Sequence, residues 1–171
     1  LKLKVIADKL PLEYSKEVHN QIMSNFSKDT QLRNWITETL NAWLCCRYIY
    51  DTFDTSLTED YIKYIHKIAR QHTIDEEKGY NIGEYKALGN IIANRKTTEP
   101  SKVHKSMAII ISHFNKLSLI TRDSVLKFHK SFEKIHPFQD GNGRVGRFIM
   151  VKQCFDADIE PIIPTLKDRK F

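Results

Sequence analysis

Apolar residues recur at steps of three and four over most of this chain, a period that predicts helices rather than strands. Over residues 29–51, Leu32, Ile36, Leu40, Trp43, Leu44 and Tyr48 make one stripe, which predicts a helix that buries those side chains. Thr58 is placed to cap the next helix, with Glu59 and Asp60 in its first turn and Tyr61, Ile65 and Ile68 facing inward. His66 stands beside that face as a packing or surface residue. The period lapses after Gln71. Gly79, Gly83 and Gly89 with the short apolar pair Ile91 and Ile92 predict a loop and a small hairpin, its turn near Asn94 to Lys96. Pro100 suits the first turn of a further helix, in which Met107, Ile110, Ile111, Phe114 and Leu117 repeat at helical spacing. Thr121 can cap another, with Asp123 in its first turn and Val125, Phe128, Phe132 and Ile135 buried. That helix must stop before Pro137, because the residue preceding a proline is steered out of the helical region, and His136 becomes its last residue. Phe148, Ile149, Val151, Lys152 and Phe155 resume a helix. The fold class expected is all-α with one small hairpin.

Composition narrows the class. The 171 residues, 41% hydrophobic and 28% charged, can bury one good core and are too few to suggest two. The formal charge of +6 would suit a phosphate or nucleic-acid ligand, but the lysines are spread along the chain as a solvated helical surface would have them. Cys45 and Cys46 are adjacent and Cys154 is distant, which is neither a disulfide framework nor a metal-ligand spacing, so a reduced, cytoplasmic protein is expected. The opening LKLKVIADKL has no apolar run of signal-peptide length, and MAIIISHF is too short to span a bilayer, so no membrane association is expected.

The chemistry concentrates in HPFQDGNGRVGR, residues 136–147, where a helix ends, a tight loop follows and a second helix opens on GNGR. A helix N-terminus offers unpaired N–H groups and partial positive charge, and glycines let an anion approach them. Arg144 and Arg147, three apart, add charge-assisted forks for phosphate oxygens, so the loop reads as a polyphosphate cradle. Polyphosphate usually arrives with a divalent metal, and Asp140 is a hard oxygen ligand at the lip of the loop. His136 at the opposite lip can accept a proton near neutral pH, and Phe138 should turn inward and pin the loop. Two other motifs fail. GNGRVG fits the dinucleotide fingerprint but follows a helix end with a proline instead of an apolar strand, and a calcium loop counted from Phe138 would need Glu where Ile149 stands.

This stretch is identified as the signature of the Fic family, HPFx(D/E)GNGRxxR, matched at His136, Pro137, Phe138, Asp140, Gly141, Asn142, Gly143, Arg144 and Arg147. GEYKALGNIIANRKTTEP resembles the family's flap hairpin and GRFIMVKQCFDADIEPIIP its following helix and tail, so that about residues 37–164 match in order. The resemblance implies a Fic fold, a helical bundle with a β-hairpin flap beside the active-site loop. It divides the chain into an N-terminal helical segment, 1–36, and a Fic domain, 37–171, with the flap at about 82–99, the active-site loop at 136–147 and a C-terminus that stops short. The activity implied is that of a protein adenylyltransferase, which moves AMP from ATP to a Ser, Thr or Tyr hydroxyl of a target docked along the flap. His136 would be the general base, and Asp140 would hold Mg²⁺. Gly141, Asn142 and Gly143 would form the anion hole, with Arg144 beside them and Arg147 on the γ-phosphate.

A lysine at the second motif glycine accompanies a kinase-like variant of the family, and Gly143 here favours AMP transfer. Transfer of another nucleotide or phosphate-containing group, or a silent module that binds nucleotide or nucleic acid, remains as an alternative, the intact His136 and Asp140 arguing against a dead site and nucleic acid not being the expected partner. Many relatives carry an inhibitory helix, S/TxxxEG/N, whose glutamate pairs with the second motif arginine. The nearest stretches here are SKEVHN, with His19 at the glutamate position, and NWITET, with Glu38. Glu38 reads as a helix-surface charge, and weak self-inhibition at most is expected, with an inhibitory partner as the other source of restraint.

Overall fold

Four of the helix starts are set by capping side chains. Thr58 accepts from the Tyr61 N–H at 3.0 Å, and Thr121 and Ser124 cap each other's backbone in a capping box, as their spacing predicts. Ser15 and Asp29 cap in the same way, through the N–H groups of Val18 and Leu32, and each such cap stabilises its helix by about 1 kcal/mol. The computed structural model describes residues 2–26, 28–92 and 94–162. Its elements run α1 (Lys2–Lys9), α2 (Lys16–Ser24), α3 (Thr30–Asp51), α4 (Glu59–Arg70), α5 (Ile74–Glu77), β1 (Ile91–Ile92), β2 (Arg95–Lys96), α6 (Pro100–Asn115), α7 (Arg122–Ile135) and α8 (Asn142–Asp156). The all-α class with one tiny hairpin is what the sequence predicts. The closing LKDRKF, where the chain was expected to stop short, lies outside the described residues.

The bundle is built by α3 on α4, α6 on α7 and α7 on α8, with α4 and α3 closing against α8. Leu40, Leu44 and Ile49 of α3, Ile62, Ile65 and Ile68 of α4, Met107 of α6, Phe132 of α7 and Ile149 of α8 are fully buried between them. α3 runs unbroken through residues 36 and 37, and α1 packs on it, so the N-terminal helices share its surface. No helix among the described residues is long and apolar enough to cross a membrane.

Three details depart from the pattern reading. The α3 stripe is narrower than predicted: Leu32 and Trp43 are exposed, while Thr37 and Asn41 are buried in their place. Asn41 donates to the carbonyls of Ala69 and Gln71 at 3.3 and 2.8 Å, which satisfies the end of α4 and explains a polar residue in the core. The loop after Gln71 contains the one-turn helix α5. The hairpin turn lies earlier than Asn94 to Lys96: Ile92 pairs with Arg95 and Ile91 with Lys96, so Arg95 and Lys96 are strand, and Asn94 takes the left-handed conformation, φ 63°, that a tight hairpin turn needs.

Candidate active site

The loop between α7 and α8 is held shut by its own side chains. His136 terminates α7 in the left-handed region at φ 52°, with its N–H on the Phe132 carbonyl at 2.8 Å. The chain then turns Phe138 fully into the core, as expected. Asn142 closes a reciprocal clamp, donating from Nδ2 to the Phe138 carbonyl at 2.9 Å and accepting the Phe138 N–H at 2.8 Å. Its side chain is thereby committed to the loop, and what Asn142 can offer an anion is its backbone N–H.

His66 of α4 lies flat on the Phe138 ring, with centroids 3.9 Å apart and planes 2° apart. Its Nδ1 accepts the Gly83 N–H at 2.9 Å, so Nε2 carries the hydrogen and donates it to the Asp140 carbonyl at 3.2 Å. One imidazole thus ties the start of the flap to the active-site loop. Burial lowers its pKa to about 4, with the Asp140 contact acting the other way. The flap is also tied by Lys86, whose N–H meets the Pro137 carbonyl at 2.8 Å and whose buried Nζ donates to Thr97 Oγ1 at 2.6 Å, Asn90 Oδ1 at 2.9 Å and the Ile135 carbonyl at 3.4 Å. Burial pushes the Lys86 amine down to about 8.

α8 begins at Gly141, whose φ of 77° suits glycine, and a Cβ there would fall 2.9 Å from Arg70 Cδ, so the stem of Arg70 is the floor of the loop. The Gly141 carbonyl accepts from the N–H groups of Arg144 and Val145, leaving those of Asn142 and Gly143 ahead of the first intrahelical bonds. The Arg147 guanidinium lies over Gly143, 3.4 Å from where a Cβ would stand, and so beside those donors. Arg144 and Arg147 line one open cleft of about 500 Å³ with Trp35, Glu38 and Phe148. Asp140 is exposed at the lip, its Oδ1 taking the Gly141 N–H at 2.6 Å. The His136 side chain, 12% exposed, turns Nδ1 toward Glu133, 4.0 Å from Oε2. Burial, then the nearby Lys86 charge, lower its pKa to about 4 against the opposing pull of the Glu133 carbonyl and Asp140.

Glu38 is the clearest correction to the sequence reading. It is no free surface charge: Oε1 lies 2.8 Å from Arg144 Nη1 and 3.1 Å from Arg70 Nη1, and Arg70 is paired on its other side with Asp75. A carboxylate of α3 therefore holds both the floor of the loop and one motif arginine. His19 is buried against Tyr14 and His72. Glu133 is pressed against α8, where a Cβ on Gly146 would meet its Oε1 at 2.9 Å, and burial raises its pKa while Arg147 opposes.

The Fic/DOC family profile matches residues 56–154, which contain this loop, the flap and the helices that carry them. The chain belongs to the Fic/DOC family. A probable protein adenylyltransferase of Aquifex aeolicus is 28% identical over 122 residues, covering 68% of this chain and 36% of the relative. The Fic chain thus spans little more than a third of that curated relative. Among solved structures it resembles a Fic-domain signalling protein of Bacteroides thetaiotaomicron, with TM-score 0.70, 18% identity and coverage of 96% of this chain and 64% of the other. It also resembles a Fic family protein of Desulfovibrio desulfuricans, with TM-score 0.60, 20% identity and coverage of 91% and 45%. Fic-1 of C. elegans follows with TM-score 0.63, 17% identity and coverage of 94% and 48%. These likenesses establish the Fic fold.

Proposed function

We propose that this Fic chain transfers AMP from ATP to a Ser, Thr or Tyr hydroxyl of a protein target. The reading rests on one convergence: an uncharged imidazole, His136, the first N–H groups of α8 and the Arg147 guanidinium share one loop. With its pKa held near 4, His136 is in its proton-accepting form at neutral pH, and the negative charge of bound phosphates raises its basicity toward the range where a general base is effective. In the transfer, the target oxygen bonds to the α-phosphorus as its proton passes to His136, and the bond from the α-phosphorus to the bridging oxygen breaks to release pyrophosphate. The N–H groups of Asn142 and Gly143, with Arg144 and Arg147, balance phosphate charge from fixed positions.

Among the described residues no group of three or more His, Cys, Asp or Glu is gathered to hold a metal unaided. Asp140 at the exposed lip, together with phosphate oxygens, is the donor set that Mg²⁺ takes when it arrives with a nucleotide. Bound there, Mg²⁺ would neutralise phosphate charge. The target would dock on the hairpin, where Ile91 and Ile92 are exposed and a two-stranded sheet leaves edges open for an added strand. ATP as donor and the free thiols of Cys45, Cys46 and Cys154 suit a cytoplasmic setting.

The test is incubation with α-labelled ATP, Mg²⁺ and cell lysate, followed by mass spectrometry of the labelled protein. His136→Ala is expected to reduce labelling by about 10²- to 10⁴-fold while ATP binding and the thermal melt are kept. Label retained by His136→Ala, or label transferred only from the γ-position, overturns the reading.

A further inference from the structure

A second cavity, of about 320 Å³, lies between the start of α2, the first turns of α3 and the segment leading into α5. It shares no lining residue with the cleft at Arg144 and Arg147. Its walls carry Lys16, His19, Arg33, Asn34 and His72 against a single carboxylate, Glu77. Glu77 is exposed and already occupied by Lys16 at 3.3 Å. The half-buried Arg33 guanidinium has neither a hydrogen bond nor an ion pair among the described residues.

His19 adds an independent sign of a missing ligand. It is 4% exposed, and its Nδ1 is buried with no hydrogen-bond partner. Its ring stacks on that of His72 at 5.0 Å, whose own nitrogens are occupied, Nδ1 beside the Glu76 carboxylate at 3.4 Å and Nε2 on the Tyr14 carbonyl at 2.6 Å. Buried polar atoms are normally satisfied, so the unpartnered His19 nitrogen in the wall of this cavity calls for a partner. The groups that act on His19 are Lys16 on its own helix, Arg33 from α3 and His72, while the carboxylates nearby are engaged, Glu76 by His72 and Glu77 by Lys16. Burial and these neighbours together lower the His19 pKa to about 4.

We propose that this cavity is a binding site for a phosphate group, free or carried as a small phosphate monoester, separate from the transferase site. The guanidinium fork of Arg33 matches two oxygens of a tetrahedral anion, and the Lys16 ammonium supplies a point charge at the rim. An anion would reverse the field at His19, so binding is accompanied by proton uptake on the imidazole. Nothing in this site depends on the transferase reading.

The experiment is a histidine side-chain NMR titration of the full chain with inorganic phosphate, against chloride at equal ionic strength. The His19 and His72 ring resonances are expected to move saturably, at lower phosphate than those of His136, and the apparent pKa of His19 to rise. Arg33→Gln, a partly exposed position that should fold as wild type by the unchanged resonances of His66, is expected to weaken this binding about tenfold or more. Lys16→Gln is expected to weaken it less. Tighter binding of glycerol phosphate than of inorganic phosphate assigns the site to a monoester, and the reverse assigns it to the free ion. Resonances of His19 that do not move with phosphate, or that move equally in Arg33→Gln, overturn the proposal.

Discussion

Replacing Glu38 by Gln removes one charge and keeps the shape of the side chain, and the structure sets the size of the effect. Arg70 is 3% exposed and meets two carboxylates, so it retains Asp75 when Glu38 is neutralised. The loss is therefore not that of a buried ion stripped of every partner, about 3–5 kcal/mol, but that of turning a charge-assisted bond into a neutral one, about 1–2 kcal/mol. For a domain of this size that lowers Tm by about 2–8 °C. Arg144 is 43% exposed, so its bond to Glu38 is worth at most about 1 kcal/mol. Releasing it can raise affinity for a polyphosphate by no more than about fivefold. Thermal unfolding and ATP calorimetry read the two effects separately. Asp75→Asn, which touches Arg70, is the control that should lower Tm without changing ATP affinity. A rise of more than about tenfold in automodification for Glu38→Gln, or 1.4 kcal/mol, would refute this reasoning, because Glu38 would then act as an internal inhibitor.

Arg147→Ala should weaken ATP binding more than ADP binding, by about 1.5–3 kcal/mol for ATP, as calorimetry with both nucleotides will show; equal losses would remove Arg147 from the γ-phosphate. Acid sensitivity should follow His66, whose pKa is about 4 folded against an ordinary 6.5. The unfolded chain takes up the proton first, so stability is fully present above about pH 6.5 and falls as pH drops toward 4, by about 2 kcal/mol at pH 5 for this residue. In His66→Gln the loss between pH 7 and pH 5, measured by denaturant unfolding, should be smaller by that amount, and an unchanged loss would contradict the assignment.

The parts of the fold that the sequence discloses are those whose signal is local. Thr58 and Thr121 announce helix starts because a cap acts within one turn, and Val125, Phe128, Phe132 and Ile135 announce a buried face because burial repeats with the helix. The same logic misleads on α3. A purely apolar stripe through Leu32 and Trp43 misses Asn41, whose burial comes from satisfying the carbonyl end of another helix 28 and 30 residues away. α5 is a single turn and has no period to detect.

The site divides in the same way. Residues 136–147 are legible because the loop builds its own frame, Phe138 and Asn142 clamping each other across four positions. What holds that frame to the rest of the molecule is not local. His66 reaches the Asp140 carbonyl across 74 positions, Lys86 reaches that of Ile135 across 49, and Glu38 reaches Arg70 across 32. In sequence each is a single polar residue, His66 and Glu38 on helices and Lys86 in the flap, indistinguishable from a solvated one. Burial gives them their weight. A hydrogen bond from His66 stabilises the loop because its ring is sealed under Phe138, and Glu38 controls two arginines because Arg70 has no water to turn to. Their effect on the site therefore rests on the packing of α3, α4 and α8. A core change such as Ile65→Ala, next to His66 in α4 and far from any phosphate donor in sequence, is accordingly expected to loosen the active-site loop as well as lower Tm.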